Sequence, residues 1–247
     1  LGNNTIEGRR AVTEVLKSSG QPIDKLFVLE SAKGLAGIIN LAKANGAVII
    51  QCNRARLDGM SMTGTHQGVI ASVAACAYSD VEDIFLKAQE LDEPPFIVVC
   101  DEIQDERNLG AIIRSCEVTG VHGVVVPKRR SAGITAHTMK SSTGAACNMP
   151  IARVPGIVPF LGDLRERGVW VYGAAGEGEH NAFETDFSGP AALVLGNEQE
   201  GLRRLVRENC DKLCRLPMHG KTGSLNVSCA AAVLMYQIAL SRNKLLE

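Results

Sequence analysis

Three glycine-containing loops hold the side chains of this sequence that are best suited to chemistry: DEIQDERNLG at 101–110, LGNEQEGL at 195–202 and LPMHGKTGSLNVS at 216–228. The last contains Gly220-Lys221-Thr222, the tail of the phosphate-binding loop of many ATPases and GTPases. That motif is G-x-x-x-x-G-K-[ST], in which the first glycine lets the backbone turn its N–H groups onto phosphate. Arg215 occupies that position, so the motif fails where its geometry is most demanding. A dinucleotide fingerprint is also absent: no G-x-G-x-x-G occurs, and GAAGEG at 173–178 misses the spacing.

What remains is a set of amides, carboxylates, a hydroxyl and a guanidinium. Asn108 stands at the start of a helical pattern, as a ligand-facing amide or as a helix N-cap. In that helix Leu109, Ile112, Ile113 and Cys116 form an apolar stripe. Arg114 lies off the stripe, facing a groove or solvent. Asn197, Glu198 and Glu200 fall between Gly196 and Gly201, where a glycine at a strand end permits close approach of a ligand. A plain strand-to-helix turn with acids in the first helical turn fits equally. Ser224 and Asn226 precede the final helix, which either could cap.

The elements that must position these loops alternate between helix and strand. In the first part EGRRAVTEVLKSS, LAGIINLAKANG and RARLDGMS read as helices, and KLFVLE, AVIIQC and QGVIASVA as strands. Together they predict a small α/β sandwich over 1–78. YSDVEDIFLKAQELDEPP is an acidic amphipathic helix closed by a double proline, and 79–94 is expected as a linker. Over 95–247, short apolar runs such as PFIVVC, GVVVP, VWVYGAA and AALVLG alternate with helices, which predicts a parallel sheet covered on both faces. Ligands of such sheets bind outside the carboxyl ends of the strands, and the three loops lie there.

The net charge of −1 conceals a division into +3 over 1–78, −9 over 79–106 and +5 over 107–247, two mildly basic lobes suited to a polyanion. The eight cysteines form no C-x-x-C pair, and most sit in apolar runs, as expected of buried thiols in a reducing compartment. The five histidines show no metal spacing, and no metal is expected. LGNNTIEGRR lacks the apolar core of a secretory signal and no run is long enough to span a membrane, so a cytoplasmic protein is expected.

Taken together, NLGAIIRSCEVTGVHGVVVP, LVLGNEQEGL and LPMHGKTGSLNVSCAAAV resemble the three ordered motifs of the SPOUT superfamily of RNA methyltransferases, in the branch that methylates ribose 2′-hydroxyls. The first lobe is similar to the ribosomal-protein-L30e-like RNA-binding domain found in bacterial 23S rRNA guanosine-2′-O-methyltransferases, which the whole chain resembles. The resemblance implies a deep trefoil knot, an exception to the unknotted rule, and a homodimer acting on RNA. It implies S-adenosyl-L-methionine held by Gly196, Leu216 and Leu225, with Asn197, Gly201 and Met218 nearby. It maps the catalytic positions onto Asn108, Arg114, Glu198, Ser224 and Asn226. Gln199 and HGKTG depart from the common pattern, which leaves the target nucleotide open: another rRNA site, tRNA, or a non-catalytic role in ribosome assembly would fit the same chain plan.

Overall fold

A computed structural model describes residues 5–17 and 23–242. It divides into two compact units, the first holding the described residues up to Ala77 together with Gly133–Met139, the second Tyr78–Ala132 and the described residues from Lys140 onward.

In the first unit a four-stranded mixed sheet has the order β1 (Thr5–Glu7), β4 (Val69–Val73), β2 (Ile23–Leu29), β3 (Val48–Cys52). Helices α1 (Arg9–Lys17), α2 (Ala36–Ala44) and α3 (Arg54–Met60) alternate with these strands. Val12 and Leu16 of α1 pack with Leu26, Val28 and Val69 in the main core, while Leu57 of α3 joins Phe27 and Ile70 in a second cluster. The helices and longer strands fall where the apolar periodicity predicts them. The three-residue β1 is an addition, paired antiparallel to β4.

The acidic stretch after Ala77 does more than connect. It forms α4 (Val81–Glu90), entered through Asp80, whose N–H donates to the Asp83 carboxylate at 2.8 Å. Ile84 and Ala88, one turn apart, are fully buried in the second unit. A methyl group added to Gly123 would lie 2.4 Å from Ile84, so the helix rests directly on the sheet. Arg167 reaches back to form an ion pair with Glu82 and lies over the Phe85 ring. The expectation of a linker over 79–94 therefore gives way to a packed helix: its charges face water and its apolar edge belongs to the core.

The second unit is built on a seven-stranded, entirely parallel sheet of order β7 (Ile151–Val154), β6 (Gly123–Pro127), β5 (Phe96–Cys100), β10 (Ala191–Leu195), β8 (Trp170–Ala174), β11 (Lys212–Arg215), β9 (His180–Asn181). β5, β6 and β10 are buried along their whole length, as strands covered on both faces must be. Helices α5 (Glu106–Val118), α7 (Ile157–Glu166), α8 (Arg204–Glu208) and α9 (Val227–Ser241) follow in chain order, while α6 (Ala136–Ser141) falls largely within the Gly133–Met139 segment of the first unit. α8 is shorter than the sequence suggests because Gly201 takes φ +69° and Arg203 stays extended. Residues 18–19 and 243–247, expected to extend the first and last helices, lie outside the described residues.

The chain runs from β5 outward to β7, then returns to build the other half of the sheet beside β10. The order thus reverses between β5 and β10, the crevice where ligands of open parallel sheets bind. α9 packs against α5 and is fastened at its far end by Arg242, which donates to the carbonyls of Pro94, Pro95, Phe187 and Gly189. Burial pulls this guanidinium's pKa down to about 10. Among the described residues no helix is long and apolar enough to cross a membrane.

Candidate active site

At the carboxyl end of β5, Asp101 is fully buried and holds Arg203, whose Nε lies 3.0 Å from Oδ1. The same guanidinium meets Glu102 at 2.9 Å. This pair draws the loop after β10 across the end of β5. The loop itself is closed by two backbone hydrogen bonds between Asn197 and Gly201, at 2.9 and 3.0 Å. A methyl group on Gly196 would stand 2.1 Å from the Gly201 carbonyl carbon, so only glycine permits this closure. The Asn197 amide ties the loop to the Glu102 carbonyl at 3.0 Å, and its oxygen accepts the N–H of Gln199 at 2.9 Å.

Glu198 therefore projects from a fixed loop rather than from the first turn of a helix. Its carboxylate accepts the Asp105 N–H at 3.1 Å and the Asn108 amide at 3.2 Å. The N-cap of α5 is Asp105, which accepts the N–H groups of Arg107 and Asn108. Asn108 is thereby relieved of capping, and its side chain bridges two loops: Nδ2 donates to Glu198 while Oδ1 accepts Asn226 Nδ2 at 3.1 Å. Asn226 also caps α9, its oxygen accepting the Ser228 N–H at 2.8 Å.

Two adjoining cavities meet at residues 197–200. The first, of about 300 Å³, is bordered by Gly196, Asn197, Gly201, Leu216, Met218 and Leu225, the six positions expected to meet the cofactor. Glu198 and Ser224 also reach it. Leu216 is buried, while Met218 and Leu225 are half-exposed at its mouth. Its wall combines these apolar groups and Leu234 with three carboxylates (Glu177, Glu198, Glu200) and one guanidinium (Arg207). The second cavity, of about 500 Å³, is polar and contains Asn108, Gln104 and Asp105.

Arg114 lies apart from both. It is exposed on α5, two turns beyond Asn108, and makes no hydrogen bond or ion pair among the described residues. Asn108, Glu198 and Asn226 are thus joined in one chain of hydrogen bonds, Ser224 borders the first cavity, and Arg114 is brought into neither. Cys100 beneath the site is no nucleophile, because burial pushes its thiol up to about 12. Among the described residues no two cysteines form a disulfide, and Cys147 and Cys229 are exposed rather than buried.

The sequence reading passed over the Asp101–Arg203 pair and the Glu177–Arg207 pair. Both were signalled by position alone, since Asp101 and Glu177 each follow the carboxyl end of a parallel strand. GAAGEG, rejected as a dinucleotide motif, borders the first cavity through Ala174, Ala175, Gly176 and Glu177.

The SpoU rRNA Methylase family model matches residues 95–236, and the model for RNA 2′-O ribose methyltransferase substrate binding matches residues 5–79. YacO of Bacillus subtilis, assigned by name to the TrmH family of tRNA/rRNA methyltransferases, is 44% identical over 96% of this chain and 95% of its own. The 23S rRNA (guanosine-2′-O-)-methyltransferase RlmB of Yersinia pestis is 38% identical over 96% and 97%. Among solved structures, the SpoU methyltransferase AviRb of Streptomyces viridochromogenes in complex with AdoMet is 25% identical, with a TM-score of 0.63 over 97% of this chain and 90% of that one. With relatives this similar over nearly their whole length, and a family model covering more than half of this chain, the chain belongs to the SpoU rRNA methylase family of RNA methyltransferases.

Proposed function

We propose that the protein uses S-adenosyl-L-methionine to methylate a guanosine ribose 2′-hydroxyl in 23S rRNA. The observation that carries this reading is the fixed wall of residues 197–200 between two cavities. The first cavity fits the cofactor chemically. Its three carboxylates and one guanidinium complement a molecule bearing a sulfonium, an ammonium and one carboxylate, and its leucines suit a flat nucleoside. Gly196, Asn197, Gly201, Leu216, Met218 and Leu225 would hold it. When bound, it supplies an electrophilic methyl group on sulfur.

The residues then have to position the acceptor. Asn108, Ser224 and Asn226 orient the ribose, and Glu198, committed to Asp105 and Asn108, keeps the two asparagines in register. Arg114 carries a permanent positive charge. Its role here is to clamp the neighbouring phosphate and stabilise negative charge as it develops on the attacking oxygen.

The first unit is read as an L30e-like domain that delivers RNA, in keeping with its exposed Arg10, Lys33, Arg54 and Arg56. A trefoil knot is proposed for the second unit. The connection that carries the chain from β10 past β8 to β11 and the packing of α9 on α5, with loop 216–226 bordering the same cavity as loop 196–202, support it. A homodimer is proposed through α9, where Val233, Tyr236 and Leu240 form an exposed apolar stripe. A cytoplasmic location follows from an rRNA substrate.

Mapping 2′-O-methyl groups in rRNA and tRNA from a strain lacking the gene tests the reading. Loss of one methylguanosine in 23S rRNA is expected. Loss at a tRNA position would move the substrate, and an unchanged methylation map together with no binding of S-adenosylmethionine would favour a non-catalytic assembly factor.

A further inference from the structure

The cofactor cavity has a feature that the catalytic reading leaves unused. Arg207, on α8, is the sole cation among the described residues that border it. It forms an ion pair with Glu177, in the turn after β8, which borders the same cavity. That turn is fixed: Gly178 N–H donates to the Ala175 carbonyl at 3.0 Å, and a methyl group on Gly178 would lie 2.6 Å from the Leu213 carbonyl oxygen. The two side chains are 37% and 58% exposed, which puts the pair at the mouth, in contact with water. An ion pair so exposed contributes little to folding and opens at small cost.

We propose that Arg207 and Glu177 form the receptor for the amino-acid end of the cofactor, Arg207 taking the α-carboxylate and Glu177 the α-ammonium. This rests on the assignment of S-adenosylmethionine above. An α-amino acid carries both charges on one carbon, the inverse of the pair that the protein presents. Binding exchanges one solvated ion pair for two, and the planar guanidinium can grip a carboxylate with two parallel hydrogen bonds. The other carboxylates are less suited. Glu198 is occupied by Asp105 and Asn108, and Arg207, the one cation bordering the cavity among the described residues, is paired with Glu177 rather than with Glu200. The pair would thus select for ligands that retain the complete amino-acid end.

Calorimetric titration of the full chain with four compounds tests this: S-adenosylmethionine, S-adenosylhomocysteine, decarboxylated S-adenosylmethionine and 5′-methylthioadenosine, which lacks the amino-acid end. Arg207→Gln should weaken the first two by about 10-fold or more and leave the last two within about 2-fold, the scale of a lost charged hydrogen bond. Glu177→Gln should weaken the first three and spare only methylthioadenosine. Equal loss for all four ligands would mean that the pair merely shapes the cavity, and unchanged affinities would place the amino-acid end elsewhere; either overturns the proposal. Should wild-type protein bind none of the four, the cofactor assignment itself fails. If Arg207→Gln does not fold, Glu177→Gln and Arg207→Lys on the same ligands decide the matter.

Discussion

Asn226 donates its amide proton to Asn108 across 3.1 Å, although 118 residues separate them in the chain. The contact joins the first turn of α5 to the N-cap of α9. Because Asn108 Nδ2 is already given to Glu198, its oxygen must face Asn226, which fixes both amide orientations. Asn226→Asp separates the two functions of this residue. The carboxylate still caps α9 but sets an acceptor against an acceptor at Asn108. We expect a melting temperature close to wild type and methyl transfer reduced by about 10-fold or more. Wild-type turnover would show that the bridge is only structural.

Arg114→Ala should lower methyl transfer at least about 100-fold, the scale of an essential catalytic group. Since Arg114 is exposed and borders neither cavity, titration calorimetry should find cofactor affinity unchanged. Arg114→Lys keeps the charge but not the forked geometry, and should rescue only partly. Near-normal turnover of the alanine variant would remove Arg114 from the mechanism.

Removing Arg203 leaves the Asp101 carboxylate buried without its partner. Arg203→Met should cost about 2 kcal/mol in urea denaturation, less than for a wholly buried pair because Arg203 itself is partly exposed. Adding Asp101→Asn should recover part of that loss. Strict additivity of the two substitutions would mean that the pair is not coupled.

In the first unit, the Glu7 carboxylate accepts hydrogen bonds from the Met62 N–H at 2.6 Å and from Thr63 Oγ1 at 3.0 Å, besides Ser61 Oγ. The Ser61 hydroxyl foremost, with these other donors, holds the carboxyl below the usual carboxylate range, against the opposing pull of burial. Its folded pKa lies under its unfolded one. The stabilisation is therefore complete above the usual range and vanishes as the pH falls through the lowered value. Glu7→Gln should destabilise at about pH 7, and the gap from wild type should narrow towards about pH 3. Denaturant unfolding across that window checks it; a gap that stays constant would assign Glu7 a packing role alone.

Val233→Arg and Tyr236→Glu each place a charge in the exposed stripe of α9 without touching the core. Light scattering should find the proposed dimer converted to monomers that retain wild-type circular dichroism. A dimer of unaltered strength would locate its interface on another face.

The parallel sheet was legible because PFIVVC, GVVVP and AALVLG are continuous apolar runs, as only doubly covered strands are. From the sheet, the strand-end rule led directly to Gly196, Ser224 and Asn226. β9 and β1 escaped notice because two or three residues carry no periodicity. α4 misled through its charge: ten acidic residues over 79–106 suggested a solvated connection, while Ile84 and Ala88, spaced one turn apart, already marked a buried edge. Asp101 and Arg203 lie 102 residues apart, and pairing at that range is decided by topology rather than by local pattern. Asn108 looked like a cap because Asn is a good one, but Asp105 three residues earlier took the position.

The loop that completes the cofactor cavity follows β11, and its asparagine anchors α9 to a helix made more than a hundred residues earlier. During synthesis on a ribosome, β5 through β10 emerge first and can assemble their sheet while Glu198 and Asn108 already face one another. The cavity, however, stays open on one side until translation has delivered 216–226. A chain cut short before this loop would thus lack one wall of the cavity, the Asn226 cap and the last helix together.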